Sequence, residues 1–203
     1  MRLAFTTSSF VKEIFTHGYP KLFTMVENLL ERISRDTEVK GLLQGNSFSG
    51  SIPATYGYLK SLQVLFLSSN EISGGIPPEL GNCSNLTLLE LRSNRLSGEI
   101  PDDLSHLSNL VELDIGRNNL NGGIPPKLSQ CSSLTVLLLD GNHLIGAIPL
   151  ALLSTLSKLQ TLDLSMNKLT DAIPSDLARI PFLVHFNISS NNLQGEIPAM
   201  LAS

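Results

Sequence analysis

The sequence is poor in three things: it has no tryptophan, only two cysteines in 203 residues, and only 16% charged residues. Each scarcity excludes something. Two cysteines cannot build the multi-bridge framework of small disulfide-dense domains. A low charged fraction beside 42% hydrophobic residues rules out a chain kept disordered by its own charge. A formal net charge of −4 without a basic stripe gives nucleic-acid binding no electrostatic footing. No uninterrupted apolar stretch reaches the roughly 18 residues that span a bilayer. The opening run MRLAFTTSSFVKEIF makes a poor secretory signal. Thr6, Thr7, Ser8 and Ser9 dilute its apolar residues, and Lys12 and Glu13 end them.

What is present is a period. Asn46, Asn70, Asn94, Asn118, Asn142, Asn167 and Asn191 are spaced by 24, 24, 24, 24, 25 and 24 residues. An Ile-Pro pair follows each Asn, from Ile52-Pro53 to Ile197-Pro198. Glycine stands four positions after six of the seven Asn residues, and Asp171 takes its place in the other. Six of the Asn residues close the pattern LxxLxLxxN, as in Leu86, Leu89, Leu91 and Asn94. This is a leucine-rich repeat pattern.

Each part of the repeat has a physical reading. Alternate leucines in LxL point one way, so this segment is a short strand with one buried face. The Asn amide, with two donors and an acceptor, suits the backbone of a turn entering the core and predicts a stacked ladder. Glycine suits the tight turn that follows, and proline starts a helical piece. Leu80, Leu104, Leu128, Leu152, Leu177 and Leu201 fill the convex side. One repeat cannot bury its own apolar face, so its neighbours must. The expected fold is an α/β solenoid, a right-handed superhelix with a parallel β-sheet on its concave face. The extra residue of the 25-residue repeat falls between Leu152 and Leu156, where a convex loop is expected to absorb it.

Residues 39–203 carry about seven repeats. The first is degenerate, with Leu43 but Gly41 and Glu38 at the other strand leucine positions, and the last is incomplete. Residues 1–38 do not obey the period. Leu22, Met25, Val26, Leu29, Leu30 and Ile33 have helical spacing after Pro20. That suggests an amphipathic helix capping the solenoid, with a segment of separate origin joined to the repeats as the alternative. A membrane-surface helix is disfavoured because the polar face mixes both signs of charge. Ser203 falls in mid-repeat, so the chain is expected to be truncated, with Ile197 and Leu201 uncovered and that end marginally stable or self-associating.

NRLSGEIP, NNLNGGIP and NNLQGEIP resemble the plant-specific class of leucine-rich repeats. The run from GGIPPELGNCSNLTLLELRSNRLSGEIPDDLSHL through FNISSNNLQGEIPAML resembles the membrane-proximal repeats of plant leucine-rich-repeat receptor-like serine/threonine kinases. The resemblance covers about Leu43 to Leu201. It implies a module that binds a peptide, steroid, other small molecule or protein, with a co-receptor ectodomain as a further partner. It also implies the extracellular face of the plasma membrane, with attachment through parts this chain does not show. Paired-cysteine caps and kinase motifs are missing, so no catalytic activity carries over and no cofactor or metal is expected.

Concave positions are free to vary, so partner-binding candidates are drawn from there. They are Phe66, Ser68, Glu90, Arg92, Asp114, Arg117, Leu138, Asp140, Asp163, Met166, His185 and Asn187. Glu90, Arg92, Asp114, Arg117 and Asp140 should form one patch. Its arginines either hold a partner's carboxylate bidentately or pair with their neighbours as a cross-strand ladder. Cys83 and Cys131 replace leucines of one phase and, about 10 Å apart, are expected as buried free thiols. His17, His106, His143 and His185 do not cluster, and no activated nucleophile accompanies the neighbouring Asp163 and His185. Sequons at Asn82, Asn85 and Asn187 are glycosylation candidates in an exported chain, the last on the concave face. Two alternatives compete with a binding module. One is the truncated product of a gene encoding a membrane receptor serine/threonine kinase. The other is a secreted inhibitor of the polygalacturonase-inhibiting type, whose paired-cysteine caps are missing here.

Overall fold

The computed structural model describes residues 39–199. The amphipathic segment before residue 39, His17 and Leu201 lie outside the described residues. Among those described, thirteen short strands fall into two series. The first series holds the alternating leucines: β1 (Val39–Leu42), β3 (Leu62–Phe66), β5 (Leu88–Glu90), β7 (Glu112–Asp114), β9 (Val136–Leu138), β11 (Thr161–Asp163) and β13 (His185–Asn187). They pair in that order as one seven-stranded parallel sheet. Register keeps each column of the repeat aligned, so Leu65, Leu89, Leu113 and Leu137 follow one another across the sheet. All four are fully buried.

The second series follows each Asn: β2 (Ser49–Ser51), β4 (Glu71–Gly74), β6 (Arg95–Glu99) and β8 (Asn119–Asn121) form a four-stranded sheet, and β10 (Ile145–Gly146) and β12 (Lys168–Leu169) a pair. The sequence suggested only a turn there. These strands bury at most one large apolar residue each, such as Ile72, Leu96 or Leu120, and β2 buries none, too little alternation to show as a strand. Six glycines here have positive φ, and Asp171 adopts φ 66° in the same role. The conformation is therefore kept where the glycine is lost, at a backbone cost.

The convex side is almost entirely 3₁₀ helix, starting after the Ile-Pro pair, as in Pro78–Asn82 and Asp102–His106. The preceding proline is extended, Pro101 lying at φ −66°, ψ 133°. The extra residue is not absorbed by a loop. It converts the segment Leu150–Thr155 into an α-helical turn, α1. Elsewhere the turn closes three residues back, Leu107 N–H donating to the Leu104 carbonyl at 3.1 Å. In α1 it closes four back, Leu156 N–H donating to Leu152 at 3.2 Å. One residue is thus taken up by a change of winding, with Leu152 and Leu156 still buried.

The Asn ladder stitches these layers. Asn142 Oδ1 accepts the Leu120 N–H of the preceding repeat at 3.0 Å, and Nδ2 donates to the carbonyls of Ile115 and Leu139, each at 3.1 Å. The same bonds recur at Asn70, Asn94, Asn118, Asn167 and Asn191. At the C-terminal end the core opens. Leu183, Phe186, Ile188 and Leu193 are only partly buried, whereas their counterparts Leu159, Leu162, Leu164 and Leu169 are at most 1% exposed.

Both cysteines are buried and unbridged. Each donates its thiol to a carbonyl of the preceding repeat, Cys83 to Tyr56 at 3.2 Å and Cys131 to Leu104 at 3.3 Å. Burial pushes both thiols up to about 11. At pH 8 almost no thiolate forms, so iodoacetamide should leave both cysteines unlabelled in the folded chain and label both in urea, as read by mass spectrometry. Asn142→Ala would strand a buried N–H and two carbonyls at about 1–3 kcal/mol each, so urea stability should fall by about 3 kcal/mol or more. Asn46→Ala should cost under about 1 kcal/mol. The Asn46 side chain bonds only to Leu43 and Gln44, in its own repeat.

Candidate functional site: the open face of the seven-stranded sheet

Strand alternation leaves three outward columns on the concave sheet face. The first runs Val64, Leu88, Glu112, Val136, Thr161, His185; the second Phe66, Glu90, Asp114, Leu138, Asp163, Asn187. The third, one alternation further along, runs Ser68, Arg92, Gly116, Asp140, Ser165 and Ser189. Most candidate residues therefore sit in the second and third columns. Arg117 and Met166 do not belong to a column. They occupy the turn just beyond it, at φ 52° and 55°, with Met166 exposed. Of the first column only His185 was among the candidates from sequence, and Glu112 and Val136 were left out. The residue before the first leucine has the same orientation.

The charged patch is closed on itself. Arg92 Nη2 donates to Asp140 Oδ2 at 2.6 Å, and Nη1 donates to Asp140 Oδ1 at 2.8 Å and Asp114 Oδ1 at 3.1 Å. The guanidinium thus spans three repeats, and both carboxylates are buried. Gly116 makes this possible. A Cβ at that position would collide with Arg92 Nη1 and lie 2.5 Å from Asp140 Oδ1. The hydrogen bond to Asp140 holds the Arg92 guanidinium charged, well above its ordinary range. Burial raises the Asp114 carboxyl above its ordinary 3.8, against the lowering by the Gly116 N–H and Arg92. Of the two geometries weighed for the arginines, Arg92 adopts the cross-strand ladder. Arg117, 3.9 Å from Asp140 Oδ2, is 68% exposed.

Glu112 carries no such partner. Burial raises its carboxyl first, and Glu90 and Asp114 add like charge. Asp163 faces Asn187 rather than His185, accepting from Asn187 Nδ2 at 3.3 Å and from Ser165. His185 lies opposite Thr161. Asn82 and Asn85 are exposed on the approach to β5, whereas Asn187 opens onto the sheet face. Among the described residues no group of His, Cys, Asp and Glu is arranged to hold a metal ion.

Models of the leucine-rich repeat family match residues 61–83, 84–144 and 132–193. The chain belongs to the leucine-rich repeat family. Its repeats resemble plant receptor kinase ectodomains. They match the structure of PEPR1–AtPEP1 with TM-score 0.80 and 38% identity, over 87% of this chain and 24% of that one. They match the Arabidopsis receptor kinase HAESA, solved with the peptide hormone IDA and the co-receptor SERK1, with TM-score 0.71 and 32% identity, over 80% of this chain and 30% of that one. The repeats thus span under a third of these ectodomains. Such ectodomains are extracellular parts of membrane receptors, and the fold is not that of a catalytic domain. Among the described residues no helix is long and apolar enough to cross a membrane. A separate local likeness joins 43 residues, 21% of this chain, to 5% of conserved oligomeric Golgi complex subunit 5 of Arabidopsis thaliana, at 77% identity.

Removing one partner of a buried ion pair leaves uncompensated charge, so Arg92→Ala should cost about 3 kcal/mol at neutral pH. Without Arg92 the Asp114 carboxyl moves further above 3.8, and the folded state then binds protons more tightly than the unfolded state. The deficit should therefore shrink as pH falls through that raised value, measured by urea denaturation at pH 7 and pH 4.5. Gly116→Ala should destabilise the natural chain but cost less in the Arg92→Ala background, because the clash with the guanidinium is gone and Asp140, no longer bridged to Arg92, can turn its carboxylate away.

Proposed function

We propose that these repeats bind an extended peptide along the open face of the seven-stranded sheet, as part of a receptor-type ectodomain outside the plasma membrane. The observation that carries this reading is the face itself. The six strands of this sheet from β3 to β13, in register, present half-buried Phe66, Leu88, Val136 and Leu138 between charged residues, with no element of the described chain packed over them. Apolar side chains with interspersed polar groups on a rigid sheet suit a ligand whose side chains seat between strands. The peptide-hormone and co-receptor complexes among the similar structures support the same class of partner, with a co-receptor ectodomain as a second one. Kinase activity, in a receptor of that kind, would reside outside these repeats.

We also propose that residues 1–38 and the repeats from 39 onward have separate origins. Residues 1–38 do not obey the period of the repeats, and part of the chain carries a 43-residue likeness to a Golgi-complex subunit, a protein of different description from the receptors. Amplification of leaf cDNA across the codons for residues 30 to 50 should give no product, while each side amplifies alone. A single spanning transcript would sink this reading.

For the binding surface, Leu138→Glu should weaken capture of a cognate peptide at least tenfold, measured by thermophoresis. Leu150→Glu, on the exposed convex side, should leave it unchanged. Equal losses from both substitutions would exclude the sheet face.

A further inference from the structure

We infer that the sheet face selects a cationic peptide segment of the pattern apolar-x-Arg/Lys-x-apolar, its basic residue held between Glu90 and Glu112. This deepens, and rests on, the peptide-binding reading above.

Three observations carry it. The first is the withdrawal of positive charge. Arg92 lies over Gly116 and spends three donors on Asp140 and Asp114, so it has little left for a partner's carboxylate. The second is unbalanced negative charge beside it. Among the described residues the ion pairs are Arg92 with Asp114 and Asp140, Arg117 with Asp140, and three pairs away from this face. Neither Glu90 nor Glu112 enters one. Glu90 is in register with Asp114, and Glu112 lies beside Leu88 on the next strand, so the two carboxylates are diagonal neighbours. Burial, and then the like charge of Glu90 and Asp114, already raise the Glu112 carboxyl. A guanidinium or ammonium placed there would relieve both glutamates.

The third observation is spacing. Phe66 and Leu138 occupy one column three strands apart, with Glu90 and Asp114 between them. Three strand spacings are ~14 Å, and the centre of the acidic pair is ~7 Å from either end. An extended peptide laid across the strands presents same-face side chains every two residues, ~7 Å apart. Residues i, i+2 and i+4 therefore fall on Phe66, on the acidic pair and on Leu138. Leu88 and Val136 widen the two apolar seats.

The test uses the full chain and three blocked peptides, acetyl-Leu-Ser-X-Ser-Leu-amide, with X as Arg, citrulline or Glu. Binding is read by calorimetry at low and high salt. The Arg peptide should bind at least tenfold tighter than the citrulline peptide, with the Glu peptide weakest, and salt should narrow the differences. In the double variant Glu90→Gln and Glu112→Gln, Arg and citrulline peptides should bind alike, and Glu112→Gln alone should remove part of the preference. Circular dichroism confirms that the variants fold. If all three peptides bind equally and Leu138→Glu abolishes binding, the sheet-face reading stands and the cation inference is overturned. If the double variant keeps the Arg preference, the inference is likewise overturned. If none of the peptides binds at millimolar concentration, both fail.

Discussion

No single repeat of this chain can satisfy its own backbone at the turn out of the strand, and the Asn side chain meets that need by reaching into the repeat before it. Its carbonyl takes an N–H from that neighbour, and its amide bridges a carbonyl of the neighbour and one of its own turn. Because the amide is buried in the middle repeats, these bonds do not compete with water. The constraint fixes the spacing of everything else. Strands must lie in register for six successive amides to make the same bonds, and the register aligns the leucine columns into one core. Stability is therefore built by neighbours, as expected where each unit contacts only the units beside it.

Held at fixed register, the strands turn sequence variation into a surface. The buried columns are nearly uniform, and the outward ones are not. Arg92, Gly116 and Asp140 show that this variation is cooperative. The small residue in the middle repeat lets a side chain from one repeat reach a carboxylate two repeats away. Such a bridge costs desolvation of three charges, and its yield is geometric definition rather than large net stabilisation. It also decides what the neighbouring residues can do, since a guanidinium committed to the sheet no longer balances Glu90 and Glu112.

Much of the architecture was legible because the period encodes it. The seven Asn positions, the Ile-Pro pairs and the LxL alternation place the long sheet, the ladder and the convex helical side before any coordinates. The second series of strands was not legible. A segment with one buried residue, such as Leu96 between exposed neighbours, carries no alternation to detect. Nor was the winding change at α1, since sequence shows an inserted residue but not whether a loop or a wider helical turn accommodates it. In the candidate site, the charged cluster was placed from spacing, but its pairing was not. Whether Arg92 points to a ligand or to Asp140 depends on the missing Cβ of Gly116, an absence that looks like an ordinary turn glycine in the sequence. Glu112 and Val136 were missed because the outward position just before the first leucine was followed only at His185.

The sheet face and its internal bridge together separate two properties that a charged repeat surface usually confuses. Count alone suggests a mixed patch of either sign, with two arginines among the five carboxylates Glu90, Glu112, Asp114, Asp140 and Asp163. Geometry divides those charges into a closed group and an open one. The closed group is Arg92 with Asp114 and Asp140, buried and mutually satisfied. The open group is Glu90 and Glu112, half-buried between apolar side chains and in no ion pair among the described residues. Removing water from the open group costs free energy unless a positive group arrives with the apolar surface that displaces it. An apolar ligand alone would bury uncompensated carboxylates, and a lone cation would leave the apolar seats wet. The face therefore favours a partner that carries both features at a spacing set by the strands, and the Asn ladder is what keeps that spacing constant.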